Sequence, residues 1–361
     1  MKKTIAFLVG NLAFGGGERM LWMLMRELTR RGYDISIYSY NKDWQTQTEF
    51  NDVHILKVLP TAKNKLISYF ELKKTLAEYR PDCIISFSLS LIETAVWAAR
   101  ANGIPIICSE RCDPAEVPEP GKRDIHRLLR RLSFRYASGV VFQTEDVQKY
   151  FSKAIQKHSV VIHNPVIDND LPCYGESDIE KKIVSSGRLS PEKNFEMLIR
   201  AFAAVGNNEY TLTIYGDGPL RTNLEKLIDD LGISSRVFLP GRVERVVDYI
   251  AKGDIFVMPS NHEGMPNSLI EGMAMGLAPV STDFASGGAR ALIKNGVNGF
   301  LVPVGDTDAL TLVLKDLIDN PKKKKDIKAE AIKIRETHSK DLILAKWVDY
   351  IEKLIQSYEK K

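Results

Sequence analysis

Cysteine is scarce in this chain: four residues in 361, at positions 83, 108, 112 and 173, with no Cys-x-x-Cys pair. Cys108 and Cys112 stand four apart, but Cys112 lies in a proline-rich loop and no histidine pair follows at zinc-finger spacing. The pattern excludes a disulfide scaffold and a zinc module, and it fits thiols kept in a reducing cytosol. Long apolar runs are also missing. A membrane-spanning helix needs about 18–20 consecutive apolar residues; the richest run here, 84–92, is nine residues long and contains three serines. The N-terminus imitates a secretory leader with Lys2, Lys3 and an apolar stretch over 5–9. That stretch stops at Gly10-Asn11 without a small-residue cleavage site and reads as a first buried strand. Charge of one sign is lacking too: 50 Lys+Arg against 46 Asp+Glu leave a net +4, too little for a protein that coats nucleic acid. No low-complexity tract and no repeat of 20–50 residues occurs, which excludes solenoids.

What is present is an ordinary globular composition, 44% hydrophobic and 27% charged. At about 150 residues per domain, the length predicts two domains. The first half alternates short β-rich runs with amphipathic helices. Strands are expected over 4–9, 35–40, 53–58, 83–87, 104–108, 139–142 and 160–162. Helices are expected over 18–31, 66–79, 92–101 and 121–137. In the first helix Met20, Leu21, Leu24, Met25 and Leu28 share one face, and Gly32 ends it. Nearly continuous apolar strands between helices imply a parallel sheet covered on both faces. His163-Asn164-Pro165 opens a polar stretch to Glu180, the best linker candidate. A second series follows, with strands over 182–186, 211–215, 237–239, 255–258, 279–282 and 299–302. Its helices are expected over 195–205, 220–231, 245–251 and 268–275, with 289–294 continuing the series and helices from 306 to the end. The expected architecture is α/β, with two Rossmann-like halves. One continuous sheet of a dozen strands is the less common alternative.

Three segments could carry chemistry. Gly15-Gly16-Gly17 falls between the first strand and the first helix. In open α/β sheets phosphates bind there, because glycines let backbone N–H groups approach and the helix N-terminus supplies positive potential. The segment is neither GxGxxG nor a Walker loop, and a tight turn is its bland reading. Gly187-Arg188-Leu189-Ser190-Pro191-Glu192-Lys193-Asn194 follows the first strand of the second half. Arg188 and Lys193 from one strand-to-helix loop suit a diphosphate, Arg bidentately and Lys as a point charge. Taken alone, two solvated surface cations is the better reading. Glu263-Gly264-Met265-Pro266-Asn267-Ser268-Leu269-Ile270-Glu271 follows the strand 255–258. Pro266 suits a first helical turn, Asn267 and Ser268 leave N–H groups at a helix start, and Gly264 and Pro266 weaken the reading of the two glutamates as helix-surface charge.

These segments together resemble the large family of retaining glycosyltransferases with the two-domain GT-B fold, the family 4 group typified by bacterial lipid-carrier and phosphatidylinositol glycosyltransferases. The resemblance covers nearly the whole chain, through the Glu-x7-Glu element from Glu263 to Glu271, the basic pair Arg188 and Lys193, and the Gly15–Gly17 loop. Gly216-Asp217-Gly218-Pro219-Leu220 and Gly241-Arg242-Val243 stand in the family's order. Each motif is weak alone and specific in this order. The resemblance implies two Rossmann-like domains facing across a cleft, with closure about Asn164-Pro165. Residues 1–164 would form an acceptor-binding domain and 165–338 a nucleotide-sugar-binding domain, with a C-terminal helix over 339–361 crossing back to the first. It implies that Arg188 and Lys193 neutralise the leaving diphosphate and that the amides of Asn267 and Ser268, beside Gly264 and Met265, bind the same phosphates. Glu271 would hold the ribose and Glu263 a sugar hydroxyl, with Gly15–Gly17 and Gly216 in the donor site and Arg242 and Val243 at the base. It implies no cofactor and no metal. Asp168-Asn169-Asp170 and Asp306-Thr307-Asp308 imitate metal sites, but the first lies in the linker and the second at a helix start, where Asp caps.

One departure stands out. Ser109-Glu110-Arg111 occupies the place where the family often carries His near the donor sugar. Arg cannot act as a base, so Glu110 and Arg111 are candidate acceptor contacts, and an Arg111 ion-paired to Glu110 or Asp113 is the equal structural reading. His163 reads as structural.

The segment 121–136 carries Lys122, Arg123, Arg127, Arg130, Arg131 and Arg135 beside Ile125, Leu128, Leu129 and Leu132. A core-facing stripe with a solvated basic face is the usual reading; the resemblance, whose acceptors are lipid-linked, favours a membrane-surface helix. No aromatics interleave the cations, against nucleic acid. The expected protein is a cytoplasmic enzyme, peripheral at the inner face of the membrane. It would move a hexose or N-acetylhexosamine from a nucleotide sugar, UDP-linked by family frequency, to a saccharide on a polyprenyl diphosphate. The alternatives are a nucleotide-sugar epimerase of the same fold and a non-catalytic nucleotide-sugar-binding subunit.

Overall fold

The computed structural model describes residues 2–9, 16–39, 57–58, 65–87, 89–114, 123–167, 171–173 and 179–360. The chain divides into two compact units, one of Met1–His163 with Asp341–Lys361 and one of Asn164–Lys340.

The first unit runs β1 (Thr4–Val9), α1 (Gly16–Arg30), β2 (Asp34–Ser39), β3 (Lys57–Val58), α2 (Lys65–Tyr79), β4 (Cys83–Ser86), α3 (Leu89–Ala101), β5 (Ile106–Ser109), α4 (Arg123–Tyr136), β6 (Gly139–Phe142), α5 (Glu145–Tyr150), α6 (Lys153–Gln156) and β7 (Ser159–Val161). Its seven-stranded parallel sheet has the order β3-β2-β1-β4-β5-β6-β7. Ile5 of β1 stands between Ile35 of β2 and Cys83 of β4. Residues 5–9, 83–86, 106–109 and 139–142 are buried without alternation, as strands covered on both faces must be. The apolar face expected on α1 is buried. The notch between β1 and β4, where the strand order reverses, is the ligand position of open α/β sheets. Gly16 and Gly17 begin α1 beside it; Gly15 lies outside the described residues.

The second unit runs β8 (Lys182–Ser186), a 3-10 turn (Pro191–Lys193), α7 (Phe195–Val205), β9 (Thr211–Tyr215), α8 (Arg221–Asp230), β10 (Val237–Gly241), α9 (Val246–Ile250), β11 (Ile255–Met258), α10 (Asn267–Ala274), β12 (Ala278–Thr282), β13 (Phe300–Val302), α11 (Thr307–Asp319), α12 (Pro321–Ala331) and α13 (Ile334–Thr337). Its six parallel strands are ordered β10-β9-β8-β11-β12-β13, so the order reverses between β8 and β11. One core, with Leu198, Phe202, Leu212 and Leu314, packs α7 and α11 on the sheet. A second, with Phe256, Leu269, Met273 and Phe284, packs α10 on the other face. Just before β11, Asp254 is buried and holds Tyr210 Oη at 2.6 Å, Lys324 Nζ at 2.5 Å and Lys328 Nζ at 3.0 Å. Burial pushes its carboxyl up, but the bonds from Lys324 and Tyr210 and the two ammonium charges outweigh that and hold it below the usual range.

The chain closes with α14 (Lys340–Glu359), whose body belongs to the first unit. Trp347 is fully buried and stacks on Phe87 at 5.4 Å. Tyr350 Oη accepts from Val140 N at 3.2 Å and donates to His158 O at 2.8 Å. A Cβ at Gly139 would lie 2.5 Å from that oxygen, so this glycine is a seat for the tyrosine.

Several expected elements shift. The basic helix is described from Arg123, its expected start at 121 lying outside the described residues; the short helices α5 and α6 were not expected, and 289–294 forms turns rather than a regular element. Asp306 caps α11, its Oδ1 accepting from Ala309 N at 2.9 Å. Asp168-Asn169-Asp170 lies outside the described residues.

Candidate active site

The reversal between β8 and β11 collects the loops that leave β8, β9, β10, β11 and β12. Glycines let them touch. A Cβ on Gly216, whose φ is 138°, would lie 1.9 Å from Gly187 O, and one on Gly288 would lie 1.9 Å from Gly264 O. Gly216 N also donates to Gly241 O at 2.9 Å, which brings Arg242 and Val243 into the same rim. Arg242 is exposed, while Val243 packs against the core.

After β8 the chain turns through Ser190 into the 3-10 turn. Asn194, at φ 47° and ψ 44°, caps α7 by accepting from Met197 N at 3.4 Å and donates through Nδ2 to Asn261 Oδ1 at 3.0 Å. Asn261 N donates back to Glu192 O at 2.8 Å. The β8 and β11 loops are thus laced together. Across the lace Lys193 Nζ meets Glu263 Oε1, a contact between residues 70 apart in sequence. Arg188 is exposed, and no hydrogen bond or ion pair engages its guanidinium among the described residues. Burial pushes the Glu192 carboxyl up, but a 2.5 Å bond from Ser190 and the charges of Lys193 and Arg188 leave it below its ordinary value.

Pro266 precedes α10, so Asn267 and Ser268 open the helix with N–H groups that no preceding turn can satisfy. Such an end carries positive potential. Asn164 braces it: Nδ2 donates to Met265 O at 2.9 Å and Asn267 Oδ1 at 2.8 Å. Sequence reading took Asn164 only for a linker residue. The Met265 side chain is buried and its sulfur takes the Asn164 N–H. Glu271 sits one turn into α10, buried at 6% exposure. Ser260 and Ser286, both buried, hold Glu263 and were not expected.

In the first unit, Glu110, expected as an acceptor contact, lies in the interior. Its carboxylate is fully buried and paired with Arg130 of α4 at 2.9 Å, and it also accepts from Cys112 N at 3.3 Å. Burial pushes this carboxyl up, opposed by Arg130. Arg111 instead lays its guanidinium over the Phe87 ring at 5.1 Å, on the ring that stacks on Trp347. The pairing also removes Arg130 from the expected basic face of α4. Arg131, over the Tyr150 ring at 5.2 Å, and Arg135 remain exposed. Lys122 and the side chains of 123–127 lie outside the description. Leu128, expected in the apolar stripe, is exposed, while its neighbour Leu129 lines a groove over α3. No group of three or more His, Cys, Asp or Glu among the described residues could hold a metal ion.

Comparison with known proteins adds sequence and structural relatives. Residues 168–334 match the family described as Glycosyl transferases group 1, and residues 14–169 match Glycosyltransferase Family 4. The chain is 35% identical over 320 residues to the lipopolysaccharide core biosynthesis glycosyltransferase LpsE of Rhizobium meliloti, covering 84% of this chain and 86% of that one. It is 29% identical over 352 residues to a Campylobacter jejuni protein, covering 91% and 96% of the two chains. That relative is named GalNAc-alpha-(1->4)-GalNAc-alpha-(1->3)-diNAcBac-PP-undecaprenol alpha-1,4-N-acetyl-D-galactosaminyltransferase. The crystal structure of Anabaena HepE in complex with UDP superposes with a TM-score of 0.84 over 98% of this chain and all of that one, at 21% identity.

Proposed function

Because this chain belongs to the group 1 glycosyl transferases of family 4, with the GT-B fold, we propose that it is a retaining enzyme. It moves a hexose or N-acetylhexosamine from a UDP-sugar to a saccharide on a polyprenyl diphosphate. The observation that carries the reading is the Lys193–Glu263 contact at the β8/β11 reversal, beside an uncommitted Arg188 and the opening of α10. A cation held against a carboxylate, with a second cation and a helix start on the same two strand-to-helix connections, suits a diphosphate joined to a polyhydroxyl group.

Arg188 and Lys193 take the diphosphate with the amides of Asn267 and Ser268. Glu263 takes a sugar hydroxyl, Glu271 the ribose, and the rim of Gly216, Arg242 and Val243 the base. The bond from the anomeric carbon to the β-phosphate oxygen breaks. A bond from that carbon to the acceptor oxygen forms on the same face, and the acceptor proton passes to the departing phosphate. The fixed cations meet the charge that grows on the diphosphate, so the transfer needs no metal. Arg111 contacts the acceptor.

The acceptor class rests on relatives such as the Campylobacter jejuni enzyme, whose name carries an undecaprenyl diphosphate glycan. No described helix is long and apolar enough to cross a membrane. The helices α2, α3 and α4 together carry nine Lys and Arg against four Asp and Glu, a +5 surplus in a chain whose total is +4. That face meets the anionic cytoplasmic leaflet.

Mass spectrometry of products from a panel of UDP-sugars with a polyprenyl-diphosphate saccharide tests the reading, run with and without EDTA. One added sugar on the lipid, in both conditions, is expected. A free epimerised sugar nucleotide, or activity lost in EDTA and restored by Mg²⁺ or Mn²⁺, overturns it.

A further inference from the structure

Glu263 is held by more than Lys193. Its Oε1 accepts from Lys193 Nζ and, at 2.9 Å, from Ser260 Oγ. Its main-chain carbonyl accepts from Ser286 Oγ at 2.6 Å. Ser260 is itself fixed, because Thr282 Oγ1 at the end of β12 donates to its carbonyl at 2.5 Å. Ser260, Thr282 and Ser286 are all at most 2% exposed, so water does not compete for these bonds. The close approach of Gly288 to Gly264 O leaves the Ser286 loop no room to slide off the carboxylate loop. All the bonds fall on Oε1 or on the backbone; none among the described residues falls on Oε2, and the side chain keeps 16% exposure.

We propose that Ser260 and Ser286 are positioning residues that lock Glu263 in the rotamer presenting Oε2 to a hydroxyl of the donor sugar. This rests on the glycosyl-transfer reading above. Oε1 is occupied by two donors, and a carboxylate so pinned has one oxygen left to accept. Ser260 sets the side chain and Ser286 sets the backbone from which it springs. Both act through Glu263. Their loss therefore shows on the sugar and not on UDP, a split that a merely structural role would not give.

The test measures binding of UDP and of UDP-N-acetylgalactosamine by calorimetry, and transfer kinetics, on the full chain and on S260A, S260T and S286A, with thermal melts. UDP affinity is expected to stay within about twofold in every variant. S260A is expected to lower the preference for the sugar nucleotide over UDP, or kcat, by about tenfold, the worth of one hydrogen bond to a charged group, and S286A, which loses a bond to a neutral carbonyl, by about fivefold. S260T keeps the hydroxyl and should recover most of the S260A loss. UDP and sugar-nucleotide binding falling together, equal loss in S260A and S260T, or no change in any variant overturns the positioning role. S286A carries the test should S260A fail to fold. A full chain that binds neither probe and transfers nothing overturns the glycosyl-transfer reading itself, which separates the two failures.

Discussion

Lys193 and Arg188 differ in what surrounds them, and that difference is functional. Lys193 is paired with Glu263, whereas Arg188 is exposed and, among the described residues, makes no hydrogen bond or ion pair. As a diphosphate departs, charge grows on its β-phosphate, and a cation there stabilises the transition state more than the ground state. Arg188→Ala and Lys193→Ala are each expected to lower kcat about 10²–10³-fold with the melting temperature kept; steady-state kinetics check this, and near-normal kcat in both moves the diphosphate elsewhere. These residues were legible in the sequence because glycine, cation and carboxylate landmarks recur in one order. Ser260, Ser286 and Asn164 were not, since a serine or asparagine at a strand end looks like any turn residue until its partner is known. The ion pair of Glu110 was hidden for a related reason: it is made with Arg130, twenty residues on in α4, which no local spacing names.

At the scale of elements, the helices over the first sheet carry the least expected feature. The first half of α2 leaves Leu66, Ile67 and Phe70 in solvent, Leu66 at 63% and Phe70 at 58%. Leu128 of α4 is exposed by 58%, and Trp97 of α3 meets Tyr136 at 5.2 Å. Leu66, Tyr69, Trp97, Arg100 and Leu129 line an open groove of about 720 Å³. The sequence pattern hid this, because α2 has apolar residues on both sides and its inner face alone satisfies a core reading. Apolar side chains ringed by Arg and aromatics suit a headgroup boundary. The full chain is expected to co-sediment with phosphatidylglycerol vesicles and less with phosphatidylcholine. F70D and L128D should each weaken that binding about tenfold, the worth of one buried apolar side chain. Vesicle binding unchanged in both would remove α2–α4 as the contact.

Across the whole molecule, two Rossmann-like sheets were readable from the alternation of apolar runs and amphipathic helices, because a parallel strand buried on both faces leaves an unmistakable block of β-branched residues. The discontinuity of the first unit was expected only by resemblance; nothing local in α14 names Gly139 as the seat of Tyr350. Lys3 Nζ and Glu359 Oε1 lie 2.9 Å apart, so the last helix ends where the first strand begins. A circular permutant placing 341–361 before Met1 through a short linker is expected to melt cooperatively near the parent temperature. Deletion of 341–361 leaves the Trp347 seat empty and should lower the melting temperature of the first unit well beyond that. Calorimetry of the two decides; a truncated chain that melts like the parent refutes the role given to α14.

The seat of Trp347 also sets a timetable. A chain is made from its N-terminus at about 5–20 residues per second, and domains ordinarily close in that order. Here the first-made unit stays unfinished until the final twenty residues leave the ribosome, while the inserted unit, complete by Lys340, closes before it. A nascent chain stalled anywhere in α14 would carry a folded second half behind a first half that still shows its apolar sheet face, which makes the last helix the natural checkpoint for chaperones and for quality control.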